Sequence, residues 1–164
     1  MFAKKFSFVM AFLLAFLMLG AVPASAEKHT AFEGTIAFIS WVPISDRYVG
    51  TNNQFEFIWV LELQTGNPQI DGTGTFYFKC NARMTTPMEY WGPCVGNWSV
   101  NVDADADAEW SGNFTVLPQV NGPYNVAKIV GHGAGEYDGK LVQMTMLGTD
   151  PMQISGEILD PKAH

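Results

Sequence analysis

Basic side chains are scarce in this chain: nine Lys and Arg stand against 16 Asp and Glu, a formal charge of −7. A surface of that sign repels phosphate backbones and anionic lipid headgroups, which argues against nucleic acid and a membrane surface as partners. Cysteine is nearly absent, with Cys80 and Cys94 the only two. Structural zinc sites need three or four Cys and His at short spacings, and the chain offers no such set. Of three histidines only His132 lies away from a terminus of the chain or of its apolar leader, so a multi-histidine metal site is excluded and no cofactor is expected. Ser40, Ser45, Ser99, Ser111 and Ser155 stand in no Gly-x-Ser-x-Gly elbow, which removes the commonest serine-nucleophile geometry. Beyond the leader no segment keeps an apolar stripe of period 3.6 for three turns, so helical architectures drop out.

The one long hydrophobic run sits at the start. Lys4 and Lys5 precede an apolar stretch over residues 6–22, and Ala24-Ser25-Ala26 follows as a small-residue cleavage site. This is the layout of a secretory signal peptide, removed after Ala26 to leave residues 27–164 as one domain. A retained anchor is the rival reading, but the run is barely long enough to span a bilayer. Loss of the two leader lysines leaves seven basic groups against 16 acidic ones, or −9. An exported chain in the periplasm or outside the cell meets oxidising conditions, so Cys80 and Cys94 are expected to form a disulfide. Closing that loop contributes about 3 kcal/mol on the chain-entropy model.

What remains alternates with a period of two. In "QFEFIWVLEL" (residues 54–63), Phe55, Phe57, Trp59, Leu61 and Leu63 share one face, and Gln54, Glu56, Ile58, Val60 and Glu62 share the other. Strict alternation of this length predicts a strand with unlike faces. Further strands are predicted over 32–40, 74–82, 96–102, 108–117, 124–132, 140–148 and 152–159. Short links such as "TGNPQIDGTG", "QVNGPY" and "AGEYDGK" separate them, with Asn-Gly and Asp-Gly pairs suited to tight reversals. The fold class is therefore all-β: a single antiparallel up-and-down β-barrel of about eight strands, preferred over a sandwich because closure removes exposed edges.

Three features could carry chemistry. The run "NVDADADAEW" sets Asp103, Asp105, Asp107 and Glu109 at alternate positions. A calcium loop wants Gly at its sixth position and Glu at its twelfth, and neither frame supplies them, so the run reads as a solvated acidic loop or edge. Weak calcium binding through these four residues is the alternative, and catalytic carboxylates a third. His132, in "GHGAGEYDGK", could do acid–base work with Glu136 or Asp138, but a polar residue at a glycine-rich strand end is the simpler reading. Gly131, Gly133, Gly135 and Gly139 precede another strand rather than a helix, which argues a bulge, bend or barrel corner and not a phosphate cradle. Last come the polar residues that interrupt apolar strands. Were their faces to point inward, Glu56, Trp59, Glu62, Tyr77, Arg83 and His132 would line a cavity for one small ligand. Pointing outward, Glu56, Glu62, Tyr77, Lys79 and Arg83 would be ordinary solvent positions.

"GHGAGEYDGKLVQMTMLGTDPMQISGEILDP" (residues 131–161) pairs a Gly-x-Gly-x-Gly strand end with a hairpin and a closing "ISGEIL" strand. This resembles the C-terminal part of small exported bacterial β-barrels related to the allene oxide cyclase and dirigent barrels. The resemblance implies an eight-stranded barrel, often a trimer, with a cavity for a hydrophobic ligand. No catalytic residue of those families matches a position here. The sequence therefore favours a non-catalytic exported barrel that binds a small apolar ligand or a partner protein. The competing reading is a cofactor-free cyclase or isomerase acting on a hydrophobic substrate, and a buried acid or base would mark it.

Overall fold

Alternation becomes nine strands and one short 3-10 turn. In order these are β1 (Lys28–Val49), β2 (Asn52–Gln64), β3 (Gly72–Thr86), β4 (Glu89–Trp91), β5 (Cys94–Val102) and β6 (Glu109–Pro118). Then follow β7 (Asn125–Ala134), the 3-10 turn η1 (Gly135–Tyr137), β8 (Leu141–Leu147) and β9 (Met152–Asp160). The computed structural model describes residues 28–50, 52–86, 89–118, 125–148 and 151–162, so the leader and its cleavage site lie outside the described residues.

Every main strand pairs antiparallel with its neighbours in sequence, β5 following β3 once β4 is passed over. Finally β9 returns to β1, from Lys28 opposite Asp160 to Ile36 opposite Met152. Eight strands thus form a closed up-and-down barrel, and β4 is a short addition at the far end of β3. β1 is far longer than its alternating 32–40 segment. It continues through Pro43 and Asp46 because β2 offers a partner as far as Val49 opposite Asn52. Gly50, at φ 63°, supplies the left-handed residue that a tight hairpin reversal requires.

Sidedness follows from the pleat. Phe57, Leu61 and Leu63 of β2 face inward, where they meet Phe76 and Phe78 of β3, Trp98 of β5 and Trp110 and Phe114 of β6 in one continuous core. Each such side chain contributes about 1.5–3 kcal/mol by leaving water. Thr73, Thr75, Asn97, Ser111, Asn113 and Thr115 occupy the alternate, outward positions. The outer wall is mixed, since Val95, Leu117, Val130, Leu141 and Leu147 are exposed on it as well.

The interior is filled by large side chains set over small ones. A Cβ on Gly131 would lie 2.6 Å from Cζ2 of Trp98, and one on Gly156 would lie 2.7 Å from Cζ of Phe32. Gly133 likewise makes room for Tyr137. Gly135 differs: its φ of 64° is a left-handed conformation at the start of η1. The Gly-x-Gly-x-Gly pattern therefore serves packing twice and backbone turning once.

The two ends of the barrel differ. At one end the β2–β3 loop folds across the opening. Asn67 carbonyl oxygen accepts from the backbone N–H groups of Ile70 and Asp71 at 3.0 Å, and Asp71 Oδ1 accepts from Thr65 N and Oγ1 at 2.6 and 2.7 Å. Ile70 is fully buried there, Trp110 Nε1 donates to the Gln69 carbonyl at 2.6 Å, and the Trp110 ring stacks on Tyr137 at 5.3 Å. At the other end Cys80 and Cys94 lie opposite each other on β3 and β5, joined by a disulfide. The far half of β1, which pairs with β2 but no longer with β9, forms a lip on the barrel.

Candidate functional site

The sequence-derived ligand candidates do not converge on the barrel interior. On β2, Glu56 and Glu62 alternate with inward Phe57, Leu61 and Leu63 and so belong to the outer wall. Tyr77 and Lys79 share that outer face on β3, opposite Ile58 and Glu56 respectively. Tyr77 Oη donates to Glu56 Oε2 at 2.5 Å, and Lys79 Nζ stands 3.3 Å from Glu56 Oε1. The Tyr77 hydroxyl, with Lys79 beside it, holds the Glu56 carboxyl below the usual carboxylate range, and the same contact pushes the Tyr77 hydroxyl up. This is a self-contained surface triad whose groups satisfy one another.

His132 is exposed on the outer face of β7, between Ser111 of β6 and Leu141 of β8. Neither proposed acid partner serves it. Glu136 is engaged by Asp105, while Asp138 pairs with Lys162 at 3.6 Å. Arg83 sits in β3 opposite Trp91 of β4, and its side chain lies outside the described residues. Of the five candidates whose side chains are described, only Trp59 points inward, half-buried against Phe57 at 5.4 Å and Phe78 at 4.8 Å.

The acidic run forms the link between β5 and β6. Asp105 organises it: its N–H donates to the Val102 carbonyl, its carbonyl accepts from Ala108 N at 3.1 Å, and its Oδ1 accepts from Asp107 N at 2.9 Å. Asp103, Asp107 and Glu109 are exposed, and Ala108 turns in to the core. Glu136 approaches Asp105 from η1. The hydrogen bond from Glu136, with the Asp107 N–H behind it, keeps Asp105 below the usual range, and the same bond raises Glu136. Among the described residues no three His, Cys, Asp or Glu side chains gather as a metal would require.

Two surfaces remain that could take a ligand. One is an open groove of about 920 Å³ on the outer wall across β7, β8, β9 and β1, lined by Glu33, Thr65, Lys128, Gln143, Ser155 and Glu157 among others. Its charges are of both signs and are partly engaged, with Lys128 Nζ bonded to Thr145 Oγ1 at 3.0 Å and Glu157 beside His29 at 3.3 Å.

The other surface is the lip. Past Ile36 the ladder between β1 and β9 ends, and the far half of β1 is paired with β2 alone among the described residues. Phe38, Ile39, Trp41, Val42, Ile44 and Tyr48 are all exposed on this arm. Trp41 lies opposite Trp59 and so shares the inward-facing side of the hairpin, where the Phe38 ring meets Trp59 edge-on at 5.9 Å. The aromatic core thus continues out of the barrel mouth onto an uncovered ledge. Sequence reasoning missed this surface because "SWVPISDRYV" lacks clean alternation; its one signal was an apolar segment with only two charged residues. No protein-family model matches the chain, and no curated protein matches it either.

Proposed function

We propose that this barrel is an exported, non-catalytic binding protein whose working surface is the apolar lip at its open end. One observation carries the reading: seven large hydrophobic side chains, including Trp41 and Tyr48, are exposed along one arm of β1, while the other exposed ones among the described residues, Val95, Leu117, Val130, Leu141 and Leu147, are aliphatic and spread over four strands. Contiguous apolar exposure of this size marks a surface that meets another molecule. The Cys80–Cys94 disulfide supports an oxidising destination.

The cyclase or isomerase alternative needs an acid or base facing the interior. Glu56, Glu62 and His132 face outward, and Asn53 is the single buried polar or charged side chain among the described residues. A filled interior also leaves a flexible substrate little to enter. Binding at the mouth is therefore favoured over chemistry within.

A naphthalene-sulfonate dye, whose emission rises on apolar contact, tests the lip at protein concentrations low enough to keep the chain monomeric. Emission should rise with wild-type protein and fall markedly with Trp41→Ser. Dye binding that is absent, or indifferent to Trp41, would overturn the assignment.

A further inference from the structure

Resting on the lip as the working surface, we infer that its ligand is a small organic cation, an alkylated ammonium carrying an apolar group, held on the inward face of the arm by Asp46 and the rings around it. The β1–β2 register sorts the two faces. Trp41, Pro43, Asp46 and Tyr48 lie opposite Trp59, Phe57, Phe55 and Asn53, and Phe57 and Trp59 mark that side as the inward one. Val42, Arg47 and Val49 lie opposite Ile58, Gln54 and Asn52, on the outer side. Arg47 is the only basic residue in 34–78. The inward face therefore presents aromatic rings and one carboxylate, and the arm's single cation is turned away from it. Asp46 forms no ion pair with another described residue.

Spacing sets what fits. Facing residues on paired strands stand about 5 Å apart at Cβ, and same-face neighbours along a strand about 7 Å. Asp46 is thus across from Phe55 and one step from Tyr48, which is 69% exposed. A cation settled beside the carboxylate comes within reach of both rings, whose quadrupoles attract it within about 6 Å of a centroid. In the other direction Pro43 leads to Trp41, 57% exposed, and to Trp59. An apolar group attached to the cation rests along that path.

Charge and hydration choose the class. A chain at −7 draws cations toward itself and repels anions. A metal ion wants several oxygen ligands, and one carboxylate among rings does not supply them. A bare ammonium is strongly hydrated and gives up its water reluctantly. Alkylation covers the charge with methyl groups, which suit aromatic faces.

Benzyltrimethylammonium, titrated against the tryptophan fluorescence of the purified chain, tests this beside benzyl alcohol and benzenesulfonate. The cation should bind about tenfold more tightly than the alcohol, and the sulfonate more weakly than either. Asp46→Asn should weaken the cation about fivefold and remove most of its salt dependence, yet leave emission of the naphthalene-sulfonate dye undiminished. Tyr48→Leu, which keeps apolar bulk and loses the ring, should weaken the cation about threefold. Both positions are exposed, so near-ultraviolet dichroism should show an intact fold in each variant. Equal binding of cation and alcohol, or a cation indifferent to Asp46→Asn, would overturn the inference. So would a lip filled by a second copy, seen as twice the chain mass in sedimentation equilibrium and abolished by Trp41→Ser. Flotation with phosphatidylcholine vesicles without binding of the free cation would do the same. If dye still binds through Trp41, the lip stands as a docking surface and only the cation is lost; if dye binding fails too, both fall.

Discussion

Reducing the Cys80–Cys94 bridge without changing any residue isolates what the cross-link does. The two cysteines are 14 positions apart, and the chain between them passes through the β4 excursion. β3 and β5 are hydrogen-bonded up to the bridge, and just beyond it Asn81 N–H donates to the Pro93 carbonyl, so the folded state loses little when the bond is cut. The effect falls on the unfolded chain, which regains the freedom of a loop of that length, worth about 3 kcal/mol. For a domain of roughly 140 residues the entropy of unfolding is about 0.3 kcal/mol per degree, so the melting temperature should fall by about 10 °C. Urea unfolding of oxidised and reduced protein should also give a steeper slope for the reduced form, because its unfolded chain exposes more surface. A fall under about 3 °C, with two thiols titrating before reduction, would refute the bridge. The same small fall with the bridge intact would refute the chain-entropy reasoning instead.

Two further outcomes test the packing and the electrostatics. Gly131→Ala sets a Cβ against both the Trp98 indole and the Ser111 carbonyl, each 2.6 Å away. It should cost about 1–3 kcal/mol in urea unfolding through overpacking, whereas Val130→Ala, on the exposed face next door, should stay within about 0.5 kcal/mol. The Asp105–Glu136 pair sets a pH dependence. Glu136 is raised above its ordinary 4.5, so its contribution is present at low pH and lost as pH climbs through the raised value. Asp105 is lowered below 3.8, so its contribution is present above that value and lost in stronger acid. The pair is most favourable in the mildly acidic window between them, where one proton is shared. Glu136→Gln keeps a donor at every pH, so the variant's melting temperature should exceed wild type at neutral pH and change less between pH 7 and the acid window. A wild-type profile matched by the variant would count against the shared proton.

Fold class was legible because burial alternates where residues alternate. Phe55 to Leu63 announces β2 by period alone, and the short links around it admit hardly any topology but a meander. β1 was harder. Its near half alternates, but its far half contains Pro43 and Asp46 and is apolar on both faces, so nothing local marks it as a strand; only the ladder offered by β2 makes it one. β4 escaped for a different reason, since three residues between turn-forming segments carry no period. Of the glycines that suggest a bulge, bend or barrel corner, Gly131 proves to lie under an aromatic ring. The partner of Gly131 is Trp98, on a strand not adjacent in sequence, and no local pattern shows such a pairing. The candidate site was least legible. Whether Glu56 and Tyr77 face in or out depends on which face the closed ring buries, and Phe57, Phe76 and Phe78 decide that together.

The return of β9 to β1 is the one join in the ring between strands far apart in the chain. Each other partnership can form as soon as its second strand emerges, by zipping onto the strand before it. Until the final segment arrives the protein is an open ribbon with two raw margins, and its greasy face has nothing to shut against. A chain stopped before Met152 would therefore lack its latch, not merely a strand, and would be held in the state most prone to stick to its own kind.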